Sequence, residues 1–364
     1  MRVVVLGGAG NFGARIVRAL CGDPAIELIV AGRRVRPVPG AANVPVVALD
    51  IGAAEFPQKL RALSPGLVIH CVGPFQGQGY AVAKSALACG AHYLDLADGR
   101  QFIVDFAGQL NDQAAAAQRV AICGASTLPA LSSAVVAQLK AGLSSLESIE
   151  MIIAPGQRAS RGAATLQAVF SYLGRPFPVW CKGQWETSWG WMDLRRVKLD
   201  IGHRLAAACD VPDLELFPAR YAGVQTVRFH AALEFGSQQL ALWVLAAMRR
   251  MGLPFPVGPW AINLNRLAGI YDAGAGHSGG MCVSVVGTRD GSGERVRRTW
   301  QLTAPASDGP EIPCMAAILL ARRLARAEGF NPGASACMGF LSLADFAPEF
   351  ARWNITTRVE EVIA

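Results

Sequence analysis

The chain has 364 residues, 52% of them hydrophobic and only 17% charged, with a formal net charge of +7 at pH 7. That length accommodates two domains with sizeable cores. The basic residues are scattered, which excludes a nucleic-acid footprint. No stretch reaches the ~20 apolar residues of a membrane-crossing helix, because the most apolar run, 240–248, stops at Arg249-Arg250.

Residues 2–6 read as a buried strand, followed by Gly7-Gly8-Ala9-Gly10-Asn11-Phe12-Gly13 and then an apolar-periodic helix to Cys21. Gly8, Gly10 and Gly13 fit G-x-G-x-x-G. In that motif the first glycine allows the tight turn, the second admits a pyrophosphate to the backbone, and the third lets helix and strand pack closely. Free N–H groups at the helix start face the anion. A second strand from Glu27 ends Ala31-Gly32-Arg33-Arg34, and Arg33 lies 20 residues past Gly13, the context a dinucleotide site requires. NAD-preferring folds place an acid there, whereas arginine accommodates the 2′-phosphate of NADP. The expected cofactor is therefore NADP. The expected contacts are Gly7, Gly8, Gly10, Asn11, Phe12, Gly13, Arg33 and Arg34.

Strands are expected at 44–48, 66–71, 91–94 and 119–123, with helices between them and a last helix at 130–142. Strand–helix alternation argues a parallel, doubly wound α/β sheet, which binds ligands beyond the carboxyl ends of its strands. Asp50, closing the third strand, is placed to bond an adenine amino group. Gly73, Pro74 and Phe75 follow the fourth strand, where a nicotinamide would lie, with Phe75 as a wall. Asp98 and Arg100 follow the fifth. Asp98 could relay a proton or orient the carboxamide, and Arg100 could hold a substrate carboxylate; an internal ion pair accounts for both equally. Ser126 and Thr127 follow the sixth strand as ligand contacts or helix caps.

Past about residue 145 the texture changes. A strand is expected at 146–154 and a helix at 162–173. Trp180, Trp185, Trp189 and Trp191 cluster after them. Residues 281–287 and 295–304 flank Asp290-Gly-Ser-Gly293, a hairpin signal. This pattern suggests an α+β second domain, and its hairpin offers an edge for pairing with another chain. Lys182, His203 and Tyr221 are its candidate proton donors. Segment 240–262 reads as an apolar helix and a Pro-rich turn, either an interface element or a membrane-surface one. A long amphipathic helix is expected at 313–327. The nine cysteines include no C-x-x-C pair and read as reduced thiols in a cytoplasmic protein. The five histidines lack ligand spacing, so no metal is expected. Residues 1–20 are occupied by the nucleotide motif, and no signal peptide is read there.

His70-Cys-Val-Gly-Pro-Phe-Gln-Gly-Gln-Gly79, Tyr93-Leu-Asp-Leu-Ala-Asp-Gly-Arg100 and Gly124-Ala-Ser-Thr-Leu-Pro-Ala-Leu-Ser-Ser133 resemble the saccharopine dehydrogenase-like NADP-binding family, as do the opening glycine turn and Gly309-Pro-Glu-Ile-Pro313. The resemblance implies a Rossmann domain (1–128), an inserted α+β domain (129–308) that carries substrate and dimer contacts, and a C-terminal helix and tail (309–364) packing back on the first. It implies an NADP-dependent oxidoreductase moving a hydride to or from the C=N or C=O bond of a small, amino-acid-like substrate, working as a homodimer. Relatives that resemble trans-acting enoyl reductases keep a lipid substrate and a peripheral lipid contact open. A non-catalytic NADP-binding role is a further alternative.

Overall fold

The computed structural model describes residues 1–160, 167, 170–253 and 269–364. It divides into two compact units, Met1–Leu131 with Glu311–Leu341, and Ser132–Pro310 with Ser342–Ala364.

The first unit is a seven-stranded sheet in the order β15-β6-β5-β4-β1-β2-β3. Its strands are β1 (Arg2–Leu6), β2 (Glu27–Gly32), β3 (Val46–Ala48), β4 (Leu67–His70), β5 (His92–Asp95), β6 (Val120–Cys123) and β15 (Gly333–Ala336). Every neighbouring pair is parallel. β1, β4 and β6 are near-continuous apolar runs, almost wholly buried, as strands covered on both faces must be. The order reverses between β1 and β4, which makes the crevice beyond their carboxyl ends the switch point of the sheet. Helices α1 (Asn11–Leu20), α2 (Phe56–Ala62), α3 (Ala81–Ala88) and α4 (Arg100–Ala116) connect the strands. The late helix Ile312–Ala325 returns to this unit. Glu311 at its start pairs with Arg15 of α1 at 2.8 Å, and Arg322 donates to Ala19 O at 3.0 Å.

The second unit is a mixed sheet in the order β10-β11-β12-β7-β13-β14-β16, with β8 (Pro176–Cys181) on β12 and β9 (Gln184–Trp189) on β8. The main strands are β7 (Leu143–Ala154), β10 (Arg195–Leu199), β11 (Gly202–Ala208), β12 (Thr226–Ala232), β13 (Gly279–Arg289), β14 (Arg295–Ala304) and β16 (Thr356–Ile363). Helix α5 (Ser132–Lys140) leads into it. Its hydroxyl Ser132 Oγ bonds the buried carboxylate of Asp213, whose pKa burial raises to about 7.

Two expectations are corrected here. The tail does not all pack on the Rossmann unit: from Ser342 onward the chain belongs to the second unit, and β16 pairs antiparallel with β14 from Val296↔Ile363 to Thr303↔Thr356. Hairpin β13–β14 consequently offers no open edge, because β7 covers one side and β16 the other. The short strand expected at 44–48 begins only at Val46, and the helix expected from 130 begins at Ser132, after a turn containing the cis Leu128-Pro129 bond. Most of the helix expected at 162–173 lies outside the described residues, as does 254–262 of the apolar segment.

Candidate dinucleotide site

The glycine turn sits directly on the end of β1. Its left-handed residue is Gly7, at φ +75°, rather than Gly8. Gly7 N donates to Ala31 O of β2 at 2.7 Å, and Gly7 O accepts from Gly10 N at 2.8 Å. That fold-back forces α1 against the turn. A Cβ on Gly13 would stand 2.3 Å from Gly7 O and 2.7 Å from Gly8 Cα. Helix α1 has no capping side chain and no acid in its first turn, so its first-turn N–H groups are open to an anion. A Cβ on Gly10 would meet only Gly7 O, at 3.0 Å. These features form a cradle shaped for a pyrophosphate. Asn11 and Phe12 begin the helix, and Asn11 is held by Arg15 Nη1, which bonds its backbone and side-chain oxygens at 2.6 and 2.7 Å.

Arg33 and Arg34 extend from the end of β2, both exposed. Neither makes an ion pair among the described residues. Asp50 is exposed past β3, with Oδ1 accepting from Gly52 N at 3.0 Å. These three lie on the β2–β3 side, where an adenosine end would extend.

On the other side of the switch point, the loops after β4, β5 and β6 lock together. Gly73-Pro74 is cis. Gln78 ties this turn down, its Nε2 donating to Val72 O (2.8 Å) and Pro74 O (2.7 Å) while Oε1 faces His70 Nε2 at 3.3 Å. His70 is fully buried, and burial lowers its pKa to about 4 against the opposing effect of the Gln78 bond. It is therefore neutral at physiological pH. Phe75 is buried edge-on to His70, with ring centroids 5.1 Å apart, and packs on Phe102 at 5.4 Å. It anchors the turn from inside instead of presenting an open wall. Gly99 lies against this turn so closely that a Cβ there would be 3.3 Å from Phe75 C.

Asp98 is exposed at the tip of the β5 loop and accepts from Gln76 Nε2 at 3.2 Å. It does so in place of the ion pair with Arg100 that the sequence left open. Although water reaches it, protein crowds it on most sides, and the resulting desolvation raises its pKa. Arg100 is buried at the start of α4, not pointed into bulk solvent. Ser126 and Thr127 are half-buried after β6.

The residue that sequence reasoning missed is Asp95. It ends β5 with no exposed surface. Its Oδ1 accepts from Ala97 N at 3.0 Å and Gly124 N at 2.7 Å, joining the loops after β5 and β6. Burial outweighs these bonds and raises its pKa to about 7. The thiols beside it, Cys71 and Cys123, are pushed far up by burial and remain protonated. Asp95 lies inside the Tyr93–Arg100 motif, but its burial depends on strands far away in sequence, so only its strand-end position signalled it.

The second-domain candidates are not brought together. Lys182 is exposed in the tight turn between β8 and β9, His203 is exposed on β11, and Tyr221 closes the helix Asp213–Arg220. The tryptophans also separate. Trp191 is buried, Trp180 and Trp185 stack edge-on at 5.1 Å, and Trp189 lies 4.4 Å beneath the Arg250 guanidinium.

A parallel sheet with an open glycine cradle at its switch point defines a Rossmann-type fold. No protein-family model matches the chain. It is 28% identical over 150 residues to a probable mitochondrial saccharopine dehydrogenase-like oxidoreductase of Arabidopsis thaliana, a match covering 35% of this chain and 32% of that one. The matched stretch is thus about a third of the relative's length. Across 99% of both chains it superposes on apo saccharopine dehydrogenase (L-Glu forming) from Saccharomyces cerevisiae, with a TM-score of 0.67 at 12% identity. It also superposes on a homospermidine synthase from Legionella pneumophila in complex with NAD, with a TM-score of 0.61 at 9% identity, over 100% of this chain and 91% of that one. Over 99% of its length the chain has the fold of saccharopine dehydrogenase.

Proposed function

We propose that this protein is an NADP-dependent oxidoreductase that moves a hydride to or from the C=N or C=O bond of a small, amino-acid-like substrate. One observation carries the cofactor choice: β2 ends without an acid, and Arg33 and Arg34 stand exposed, without ion-pair partners among the described residues, beside an open pyrophosphate cradle. Gly7, Gly8, Gly10 and Gly13 would hold the pyrophosphate, Arg33 and Arg34 the 2′-phosphate, Asp50 the adenine end, and the Gly73-Pro74 turn the nicotinamide side. When bound, a nicotinamide supplies the hydride chemistry, while the protein supplies orientation and electrostatics. Asp98 is a carboxylate on the ligand rim, where it would favour the positive charge of an oxidised ring. His70 and the thiols Cys71 and Cys123 near it stay uncharged near neutral pH. Arg100 is the residue on this rim suited to a substrate carboxylate.

Calorimetry tests the reading. NADPH is expected to bind at least about tenfold tighter than NADH, a difference of ~1.4 kcal/mol, and Arg33→Asp should erase or reverse the preference. Equal affinities in the native protein would overturn it. NADPH oxidation with a panel of 2-oxo acids, each supplied with and without an amine, tests the reaction class.

Assembly belongs to the same reading. The chain is 52% hydrophobic, and the outer edge of the second sheet is β16, exposed along its whole length with Val359, Val362 and Ile363 uncovered. An open edge of this kind is a template for pairing. Light scattering at micromolar concentration should give the mass of a dimer, and a monomer would refute this. The nine cysteines are all free, which supports a reducing compartment such as the cytoplasm, although the Arabidopsis relative is named mitochondrial. Among the described residues no helix is long and apolar enough to cross a membrane.

A further inference from the structure

The helix Gly236–Arg250 in the second unit is inverted. Its buried residues are Gln238, Gln239 and Ala246. Its large exposed side chains are Leu240 (49%) and Val244 (44%), followed just past its end by Met251 (74%) and Leu253 (46%). Residues 240, 244, 247 and 251 recur at helical spacing and form one apolar stripe. Scattered exposed apolar residues need no explanation, but a contiguous stripe marks a contact surface.

The inner face explains why the helix sits this way round. Gln239 Oε1 accepts from Leu233 N at 2.9 Å, and Arg249 Nη1 donates to Leu173 O at 3.1 Å. These polar side chains fasten the helix to its own unit through backbone groups. Turning the helix over would break those bonds, so the leucine-valine row faces outward.

The charge pattern selects the occupant. The helix contains no Asp or Glu and ends in Arg249 and Arg250. Arg250 is exposed beside the stripe, with its guanidinium over the Trp189 ring at 4.4 Å. An apolar row with an exposed cation at its end, on a helix free of acids and too short to span, fits a helix lying in a bilayer interface and drawn to anionic headgroups. The exposed Arg250 can keep its charge in the headgroup layer while its stem covers apolar surface.

We infer that the outer face of Gly236–Arg250, with Met251 and Leu253, docks reversibly on an anionic lipid surface. This does not rest on the hydride-transfer reading, and it places the second unit at a membrane whatever the substrate is.

Co-sedimentation of the full chain tests it, using vesicles of phosphatidylcholine with roughly a third phosphatidylglycerol against vesicles of phosphatidylcholine alone. The native protein should partition onto the anionic vesicles and lose them in high salt. The double variant Leu240→Ser/Val244→Ser should bind about tenfold more weakly, as expected for removing a few methylenes from the interface. Arg250→Glu should weaken binding only to the anionic vesicles. Both variants change exposed side chains, so unchanged NADPH affinity and circular dichroism would show that the fold is intact. Absence of the native protein from both vesicle pellets would overturn the inference. So would a loss of dimer mass in the Ser variant with no vesicle binding by the native chain, which would make the stripe a contact between two copies.

Discussion

Gly13→Val is expected to abolish dinucleotide binding and to destabilise the fold, whereas Gly10→Val should abolish binding and leave the fold standing. The two glycines lie three residues apart, and the difference is geometric. A Cβ at 13 would be driven to 2.3 Å from Gly7 O and 2.7 Å from Gly8 Cα. Both are backbone atoms of the turn, and that turn is bonded to β2 through Gly7 N→Ala31 O. Helix α1 must therefore lift off β1, at a cost of roughly 3 kcal/mol or more as for overpacked cores. At position 10 the only close atom is Gly7 O at 3.0 Å, which a small local shift accommodates. A branched side chain there fills the space where a pyrophosphate would approach. Binding should fall at least ~100-fold, about 2.7 kcal/mol. Thermal unfolding and calorimetry on both variants separate the two effects. If Gly10→Val retains native affinity, any dinucleotide sits elsewhere.

Relative to the Asp95→Asn variant, the native chain should lose stability as pH rises from 5 to 8. The folded-state pKa of Asp95 is raised from its ordinary 3.8 to about 7, chiefly by burial and against the bonds from Gly124 and Ala97. Between those two values the folded chain holds a proton that the unfolded chain releases. Stability is then fully present below pH ~4 and is lost as pH climbs through 7. From pH 5 to pH 8 the loss is roughly 3 kcal/mol from this one group. Asparagine keeps an oxygen to accept from Ala97 N and Gly124 N and cannot ionise. Urea unfolding at several pH values checks the slope. Asp213, also raised to about 7 by burial, contributes the same sign, whereas His70 and His92, both lowered to about 4 chiefly by burial, contribute the opposite sign below pH ~6.5. The measure is therefore the difference in slope from the native chain, which Asp95→Asn should open and Asp95→Asn/Asp213→Asn should enlarge. An unchanged slope in the double variant would mean that neither carboxyl is the carrier.

Much of the first unit was legible because its signals are local. A run such as Val3-Val4-Val5-Leu6 followed by glycines can be read from neighbours in sequence, since β-propensity, turn chemistry and helical periodicity act over a few residues. The same holds for the acid-free end at Arg33-Arg34 and for the Asp290-Gly-Ser-Gly293 hairpin. Tertiary structure alone decided which carboxylate is buried. Asp95 and Asp98 are near neighbours in one motif, but only Asp95 is enclosed, because the loop after β6 closes over it and supplies Gly124 N. It also decided that residues 356–363 pair with β14, and so which strand forms the edge. Sequence reads an apolar helix from residue 240, but not which way it faces. Here the choice fell to a hydrogen bond that Gln239 accepts from Leu233 N and one that Arg249 donates to Leu173 O, both partners outside the helix. Sequence patterns set which groups must find partners locally; only the assembled chain determines which distant backbone and side-chain groups are close enough to be those partners.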